Sequence, residues 1–112
     1  MGYRASIKCE DYDIELPKFY GYVRHEDLYS MKWLIEHNKV EDSDLFYCEW
    51  GGDIHFTADE FREFIDLYQK DINEYDYSNV GISYKKPYII SEHYKDFNNI
   101  YSNDKDKIMY WC

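Results

Sequence analysis

The chain has 112 residues, of which 45% are hydrophobic and 21% aromatic, and it carries a formal net charge of −10. This length is typical of one domain, residues 1–112, and the aromatic content excludes the composition of a disordered chain. The negative charge repels nucleic acids and anionic membranes, which argues against direct binding to either and favours a basic protein partner.

The cysteines and the N-terminal residues indicate the compartment. No apolar segment is long enough for a secretory signal or a membrane span. Cys9, Cys48 and Cys112 lie far apart in the sequence. Because an odd number of cysteines without a secretory signal is typical of reduced thiols, we expect a cytoplasmic protein.

Residues 3–16 predict a β-hairpin. Apolar side chains alternate with polar ones in two stretches, which the acidic pair Glu10 and Asp11 separates. Such alternation predicts two strands with a tight turn between them. Residues 18–24 follow, and their aromatic and β-branched side chains predict a third strand.

Residues 25–38 change to a helical period. Leucine, methionine and isoleucine recur at spacings of three and four, which predicts a helix that ends near Asn38. Glu26 and Asp27 fall in its predicted first turn, where the helix dipole favours acidic side chains. Trp33 lies off the apolar stripe, so we expect it to be exposed.

A second hairpin and the clearest helix come next. Residues 44–50 and 53–56 are separated by a glycine-rich turn, which predicts two paired strands. Thr57 and Glu60 then form a capping-box pattern, and the helix is predicted to extend over 58 to about 74. The predicted buried stripe of this helix is Phe61, Phe64, Ile65, Leu67, Tyr68 and Ile72.

The last third of the chain completes the predicted fold. Residues 80–91 predict two short strands, or one strand that Pro87 breaks, and residues 93–100 predict a helical turn. Residues 107–112 predict a terminal strand that docks, since an exposed apolar strand promotes aggregation. The pattern predicts an α+β fold: an antiparallel sheet of about five or six short strands with two helices packed on one face.

The excess charge is concentrated in one third of the chain. Residues 41–76 contain twelve acids and two bases, a net charge of −10, and the rest of the chain sums to zero. On the predicted helix, Asp59, Glu63 and Asp66 follow at spacings of four and three, which places them on one face. Like charges at these spacings destabilise a helix. The row is therefore either a solvated acidic face or a set of carboxylates that imitates a phosphate backbone.

The candidate partner-binding residues are the acids around this row and one adjacent tyrosine, since tyrosine is enriched at binding hot spots. They are Glu49, Asp53, Asp59, Glu60, Glu63, Asp66, Asp71, Glu74 and Tyr75.

Catalysis and metal binding have no support in the sequence. The four histidines have no ligand spacing with one another, and there is neither a nucleophile motif nor a glycine-rich phosphate loop. We therefore expect a protein that is not an enzyme, with no catalytic residues, no metal and no cofactor.

In composition, the chain resembles the small acidic inhibitors of phages and mobile elements, which mimic DNA or RNA to block restriction, repair or CRISPR enzymes. This resemblance implies a partner protein with a basic, nucleic-acid-binding groove, and a location in the host cytoplasm if a phage encodes the chain. It implies no fold and no residue roles. Two alternatives stay open: an immunity or interaction protein that caps a basic partner without mimicry, and a small-molecule binder.

Overall fold

The computed structural model describes residues 5–17, 19, 27–40, 53–79, 87 and 95–111. These residues form an α+β unit with one antiparallel sheet of four strands and three α-helices. In chain order the elements are β1 (Ala5–Cys9), β2 (Tyr12–Glu15), α1 (Tyr29–Glu36), β3 (Ile54–Phe56), α2 (Ala58–Glu74), a 3₁₀ helix (Tyr77–Asn79), α3 (Phe97–Ser102) and β4 (Lys107–Trp111).

The predicted fold class is confirmed and the predicted element count is matched only in part. The α+β class and the antiparallel sheet are as expected, but the described residues hold four strands and three helices, where five or six strands and two helices were expected. The strands predicted for 18–24, 44–50 and 80–91 fall outside the described residues, apart from Phe19 and Pro87.

The strand order is β2-β1-β4-β3, so the last strand of the chain lies inside the sheet. The terminal strand therefore docks as predicted, between β1 and β3. Ile7 stands opposite both Ile14 and Met109, and Ile54 also stands opposite Met109. Opposed residues of an antiparallel sheet share one face. These four buried side chains therefore mark the inner face of the sheet.

The predicted hairpin at the N-terminus is confirmed. β1 and β2 pair directly, with Cys9 opposite Tyr12. Glu10 adopts a left-handed backbone with φ of 52° in the connecting turn. A turn this tight needs a positive φ, which a polar residue tolerates better than a β-branched one.

Helix α1 is shorter than predicted at its start and ends as predicted. Its first turn contains no acidic residue, and Asp27 precedes it. At the other end, Asn38 has a φ of 57° and its amide donates to the Ile35 carbonyl, while the Lys39 amide donates to the Leu34 carbonyl. This pair of bonds is the Schellman motif, which satisfies carbonyls that the helix itself leaves free.

The prediction that Trp33 is exposed is wrong. Its side chain is 6% exposed, stacks on His37 at 3.9 Å between ring centroids, and lies 6.1 Å from the Phe64 ring. The buried residues of α1 are Ser30, Met31, Trp33 and Leu34, whereas Ile35 is only half-buried, so the face packed in the core lies further towards Trp33 than the periodicity predicts. The indole nitrogen has no hydrogen-bond partner in the described part of the chain, so its burial carries a desolvation cost.

Helix α2 occupies the predicted range, and its buried face forms the centre of the core. It contacts α1, α3 and β3. Phe64 stacks on Phe56 at 5.0 Å between ring centroids, and the Tyr68 hydroxyl donates to the Pro17 carbonyl at 3.1 Å. Leu67, which the sequence placed on the buried face, is only half-buried.

The capping box at the start of α2 is confirmed. The Thr57 hydroxyl accepts from the Glu60 amide at 3.2 Å, and the Glu60 carboxylate accepts from the Thr57 amide at 2.9 Å. We predict that Thr57→Ala lowers the free energy of unfolding by about 1 kcal/mol, the usual cost of losing such a cap. Urea denaturation measures this change, and Thr57→Ser is the control that should retain most of the stability. An alanine variant as stable as the wild type would show that solvent replaces the cap.

Helix α3 receives its C-terminal cap from other elements. The Arg62 guanidinium of α2 donates to the Tyr101 carbonyl at 3.0 Å and to the Asn103 carbonyl at 3.3 Å. The Lys107 ammonium of β4 donates to the same Asn103 carbonyl at 3.1 Å. Two cations therefore stabilise the negative end of a helix that has no basic residue in its own last turn.

Candidate functional site

A row of exposed carboxylates runs along the solvent face of α2. Asp59, Glu63, Asp66 and Glu74 are exposed, and we call these four residues the acidic ridge. Their spacings of four, three and eight keep them on one side of the helix, opposite the buried stripe. With a rise of about 1.5 Å per residue, the ridge extends over roughly 22 Å.

Two basic side chains of α2 lie along this ridge. Arg62 donates to the Asp59 carboxylate at 2.6 Å, although the Asp59 side chain stays 91% exposed. Lys70 occupies the position between Asp66 and Glu74, and its ammonium lies 4.6 Å from the centre of the Tyr29 ring. Exposed pairs of this kind contribute little to stability. The four carboxylates and the two cations together give this face of α2 a formal net charge of −2.

Asp66 is held in place by a residue of α3. The Tyr101 hydroxyl donates to its two carboxylate oxygens at 2.9 and 3.1 Å. Burial raises the pKa of Tyr101, and the hydrogen bond to Asp66 acts in the same direction. The tyrosine thus remains a neutral donor that orients the carboxylate without cancelling its charge.

Glu60 lies on the flank of α2 and is used within the protein. Its carboxylate accepts from the Thr57 amide and from the Lys39 ammonium at 3.0 Å. The backbone hydrogen bond from Thr57 is the main cause that lowers the pKa of Glu60, and the bond from Lys39 adds to it. This predicted site residue therefore joins α2 to the C-terminal end of α1 and has little free charge to offer a partner.

Asp71 departs from the predicted row because it points inward. It is 3% exposed, and it accepts from the Tyr29 amide at 2.8 Å and from the Ser30 amide at 2.9 Å. The Ser30 hydroxyl donates to it as well, at 2.5 Å. Leu28, the N-cap residue of α1, makes no side-chain cap, so Asp71 caps α1 from α2. The expectation of an exposed carboxylate at this position is therefore corrected.

A cleft of about 300 Å³ opens where the start of α1 meets the end of α2. The helix dipole of α2 is negative at this end, which adds to the charge of the surrounding carboxyl groups. Tyr29, on the wall of the cleft, is 46% exposed. The lining residues are Asp27, Leu28, Tyr29, Asp71, Glu74, Tyr75 and Asp76.

Glu74 belongs to both the acidic ridge and the cleft, so the two features are continuous. Tyr75 is half-buried, and its ring packs edge-on against Phe19 at 5.9 Å and against Tyr77 at 5.4 Å. Burial is the main cause that raises the pKa of Tyr77 to about 12. The predicted site residue Tyr75 therefore anchors the end of α2 to the core as well as forming a wall of the cleft.

The two remaining predicted site residues do not join the ridge. Asp53 is exposed immediately before β3, and the three residues of β3 and the N-cap Thr57 lie between it and α2. Glu49 lies outside the described residues.

Sequence reasoning missed the residues that modify the ridge. The spacing of three between Asp59 and Arg62 is a readable signal for an ion pair on a helix. Tyr101 carries no such signal, since it is separated from Asp66 by 35 positions and meets it only through the packing of α3 on α2.

The described residues contain no group of three or more histidine, cysteine, aspartate or glutamate side chains placed to hold a metal ion. Among the same residues, no helix combines the length and the apolar character that a membrane span requires. Comparison of the chain with protein-family models, curated proteins and solved structures gave no match.

Proposed function

We propose that this protein is a small acidic inhibitor that occupies the basic groove of a nucleic-acid-processing or defence enzyme and competes there with nucleic acid. The observation that supports the proposal is the acidic ridge, which presents four exposed carboxylates on the outer face of one helix. The protein acts by binding and performs no chemistry of its own.

The spacing of the ridge is close enough to that of a phosphate backbone to suit the same groove. Asp59, Glu63 and Asp66 place three charges within about 10 Å, or one charge per roughly 5 Å of helix axis. One DNA strand carries a charge every 3.4 Å or so. The ridge is therefore sparser than a nucleic-acid strand but of the same order, and lysine and arginine side chains in a groove are long enough to adjust.

The ridge is also rigid before any partner binds. The capping box fixes the start of α2, and the side of the helix opposite the ridge lies in the core. Tyr101 further orients Asp66. A preorganised surface loses less entropy on association, so more of the electrostatic attraction is available for affinity.

A second function, capture of a basic partner without mimicry, is supported by the cleft. Its lining offers carboxyl groups and the Tyr29 ring, and that ring already lies near the ammonium groups of Lys70 and Lys32, at 4.6 and 5.7 Å. Such a lining suits a lysine or arginine side chain of another protein. It suits an apolar small molecule poorly.

Competition distinguishes mimicry from simple capture. The partner is first isolated by affinity capture, and the complex is then titrated with the partner's own nucleic acid. Mimicry and capture both predict a complex that weakens as salt is raised from about 0.1 to about 1 M, because the screening length falls from about 10 Å to 3 Å. Only mimicry predicts that nucleic acid and this protein exclude each other from the partner. Simultaneous binding of nucleic acid and protein, without mutual weakening, would refute mimicry and leave capture.

Charge reversal on the ridge is expected to weaken this complex. Replacing Asp59, Glu63 and Asp66 together with lysine should reduce affinity by about tenfold or more, equivalent to about 1.4 kcal/mol. Most of the change should be in the association rate, which steering by exposed charges controls. The matched control reverses the exposed acids Asp11, Glu15 and Glu36, which changes the net charge equally. Equal losses in both variants would mean that net charge matters and the ridge does not.

A further inference from the structure

A buried thiol and a buried ammonium face each other at one end of the sheet. Cys9 is the last residue of β1, and Lys107 is the first residue of β4. The antiparallel register pairs Lys8 with Ile108, so the next pair along the ladder is Cys9 and Lys107. Side chains opposed in this way have Cβ atoms about 4.5–5.5 Å apart. Cys9 is 1% exposed and Lys107 is 0% exposed.

Asn103 connects the two side chains. Its Oδ1 atom accepts from Lys107 Nζ at 2.8 Å and from Cys9 Sγ at 3.7 Å, and its Nδ2 atom lies 3.4 Å from the same sulfur. Because sulfur and nitrogen share one oxygen neighbour, their separation cannot exceed the sum of the two distances to Oδ1. Both groups therefore lie within one small buried cluster.

The chemical state of both groups leaves them available for reaction. Cys9 is a free thiol. Within the described residues, Lys107 has no carboxylate at ion-pair distance. Its hydrogen-bond partners are the Oδ1 and carbonyl oxygens of Asn103, and its nitrogen lies 5.5 Å from the centre of the Phe61 ring. Burial is the main cause that lowers the pKa of Lys107, and Arg62 acts in the same direction, while Cys9 and two nearby aspartates oppose it. A lowered pKa increases the fraction of neutral amine, which is the nucleophilic form.

We propose that Cys9 and Lys107 form a redox-sensitive covalent bridge in which one oxygen atom joins the sulfur to the nitrogen. A peroxide first oxidises the thiol to a sulfenic acid and leaves as water. A second peroxide supplies the remaining two-electron oxidation as the oxygen–nitrogen bond forms. In total one thiol, one amine and two hydrogen peroxide molecules give one sulfur–oxygen–nitrogen bridge and three water molecules. Sulfur and nitrogen each lose two electrons, and dithiol reductants reverse the reaction.

The position of the cluster that contains Cys9 and Lys107 determines how an oxidant reaches it and how the bridge affects stability. The cluster lies at the ends of β1 and β4, where Asn103 is half-buried and the neighbouring Glu10 is exposed, so we expect a local opening to admit a small oxidant. The bridge would link β1 to β4, which are neighbours in the sheet and far apart in the sequence. A cross-link over so long a loop restricts the unfolded chain, so the oxidised protein should unfold at a higher temperature.

Peptide mass spectrometry tests this proposal independently of the proposed function. The full chain carrying Cys48→Ser and Cys112→Ser, which leaves Cys9 as its one thiol, is folded and treated with hydrogen peroxide. We expect a mass gain of one oxygen less two hydrogens, and a covalent link between the peptides that contain Cys9 and Lys107. Dithiothreitol should remove both.

Three further variants separate the bridge from ordinary oxidation. Cys9→Ser and Lys107→Arg should each abolish the linked peptides, whereas Lys105→Arg, at an exposed lysine two positions away, should retain them. The proposal is overturned if peroxide adds whole oxygen atoms to Cys9 without loss of hydrogen, if Cys9 resists oxidation in the folded protein, or if Cys9 links to another lysine.

Discussion

Replacing Phe64 with alanine should lower the free energy of unfolding by about 3–5 kcal/mol, the range found for large aromatic truncations in a core. Phe64 is 0% exposed and lies at the centre of an aromatic group. Its ring is 5.0 Å from that of Phe56, 5.8 Å from that of Tyr68 and 6.1 Å from that of Trp33. These three neighbours come from β3, α2 and α1, so the cavity would loosen three elements at once.

Urea denaturation measures this loss of stability, and two other substitutions on α2 provide values for comparison. Glu63→Ala removes an exposed neighbour and should change stability by less than about 0.5 kcal/mol, as surface substitutions do. Leu67→Ala removes a half-buried side chain, so its loss of stability should lie between those of Phe64→Ala and Glu63→Ala. If Phe64→Ala were as mild as Glu63→Ala, the apolar stripe of α2 would not be the centre of the core.

Features that depend on neighbouring residues could be predicted from the sequence. The capping box at Thr57 and Glu60, the left-handed end of α1 at Asn38 and the hairpin around Glu10 are each decided within six residues or fewer. The apolar period of α2 was equally readable, because a helix that packs on one side must repeat its apolar positions every three or four residues.

Features that depend on distant residues could not be predicted. The start of α1 was misplaced because its cap, Asp71, follows 41 residues after Ser30. The exposure predicted for Trp33 is wrong because the exact face that a helix buries depends on how two helices pack, which periodicity does not reveal. In the same way, the cations that cap α3 belong to α2 and β4.

In the candidate site, too, local features could be predicted from the sequence and features that depend on distant residues could not. Periodicity placed Asp59, Glu63 and Asp66 on one exposed face, since that follows from helix geometry alone. Periodicity could not show which acids have a structural role. Asp71 is of a residue type usually found on the surface, but it is buried. The cleft could not be predicted from the sequence either, since it forms between two helices that are far apart in the chain.

Replacing Asp71 with alanine should destabilise the protein by about 2–4 kcal/mol. The change leaves the Tyr29 and Ser30 amides and the Ser30 hydroxyl without their acceptor. Hydrogen bonds to a charged group contribute about 1.5–3 kcal/mol each, and water entering from the cleft should replace part of that stabilisation. The measurement is urea denaturation with loss of helical circular dichroism, and Glu63→Ala again serves as the exposed control. A loss of 0.5 kcal/mol or so would mean that water caps α1 as well as the carboxylate does.

The pH dependence of stability provides a second test of Asp71. Burial is the main cause that raises the pKa of Asp71 above its usual value of 3.8, although the hydrogen bonds from Ser30 and Tyr29 oppose it. When the folded-state pKa is the higher one, the native protein binds the proton more tightly than the unfolded chain does. The stability of the wild type relative to Asp71→Asn should therefore be greatest below pH 3.8 and decline as the pH rises through the raised folded-state pKa.

Denaturation of both proteins at a series of pH values measures this difference, and Glu63→Gln controls for the loss of one exposed charge. A difference that grows with pH would show the opposite balance, in which the three hydrogen bonds outweigh the cost of burying the charge.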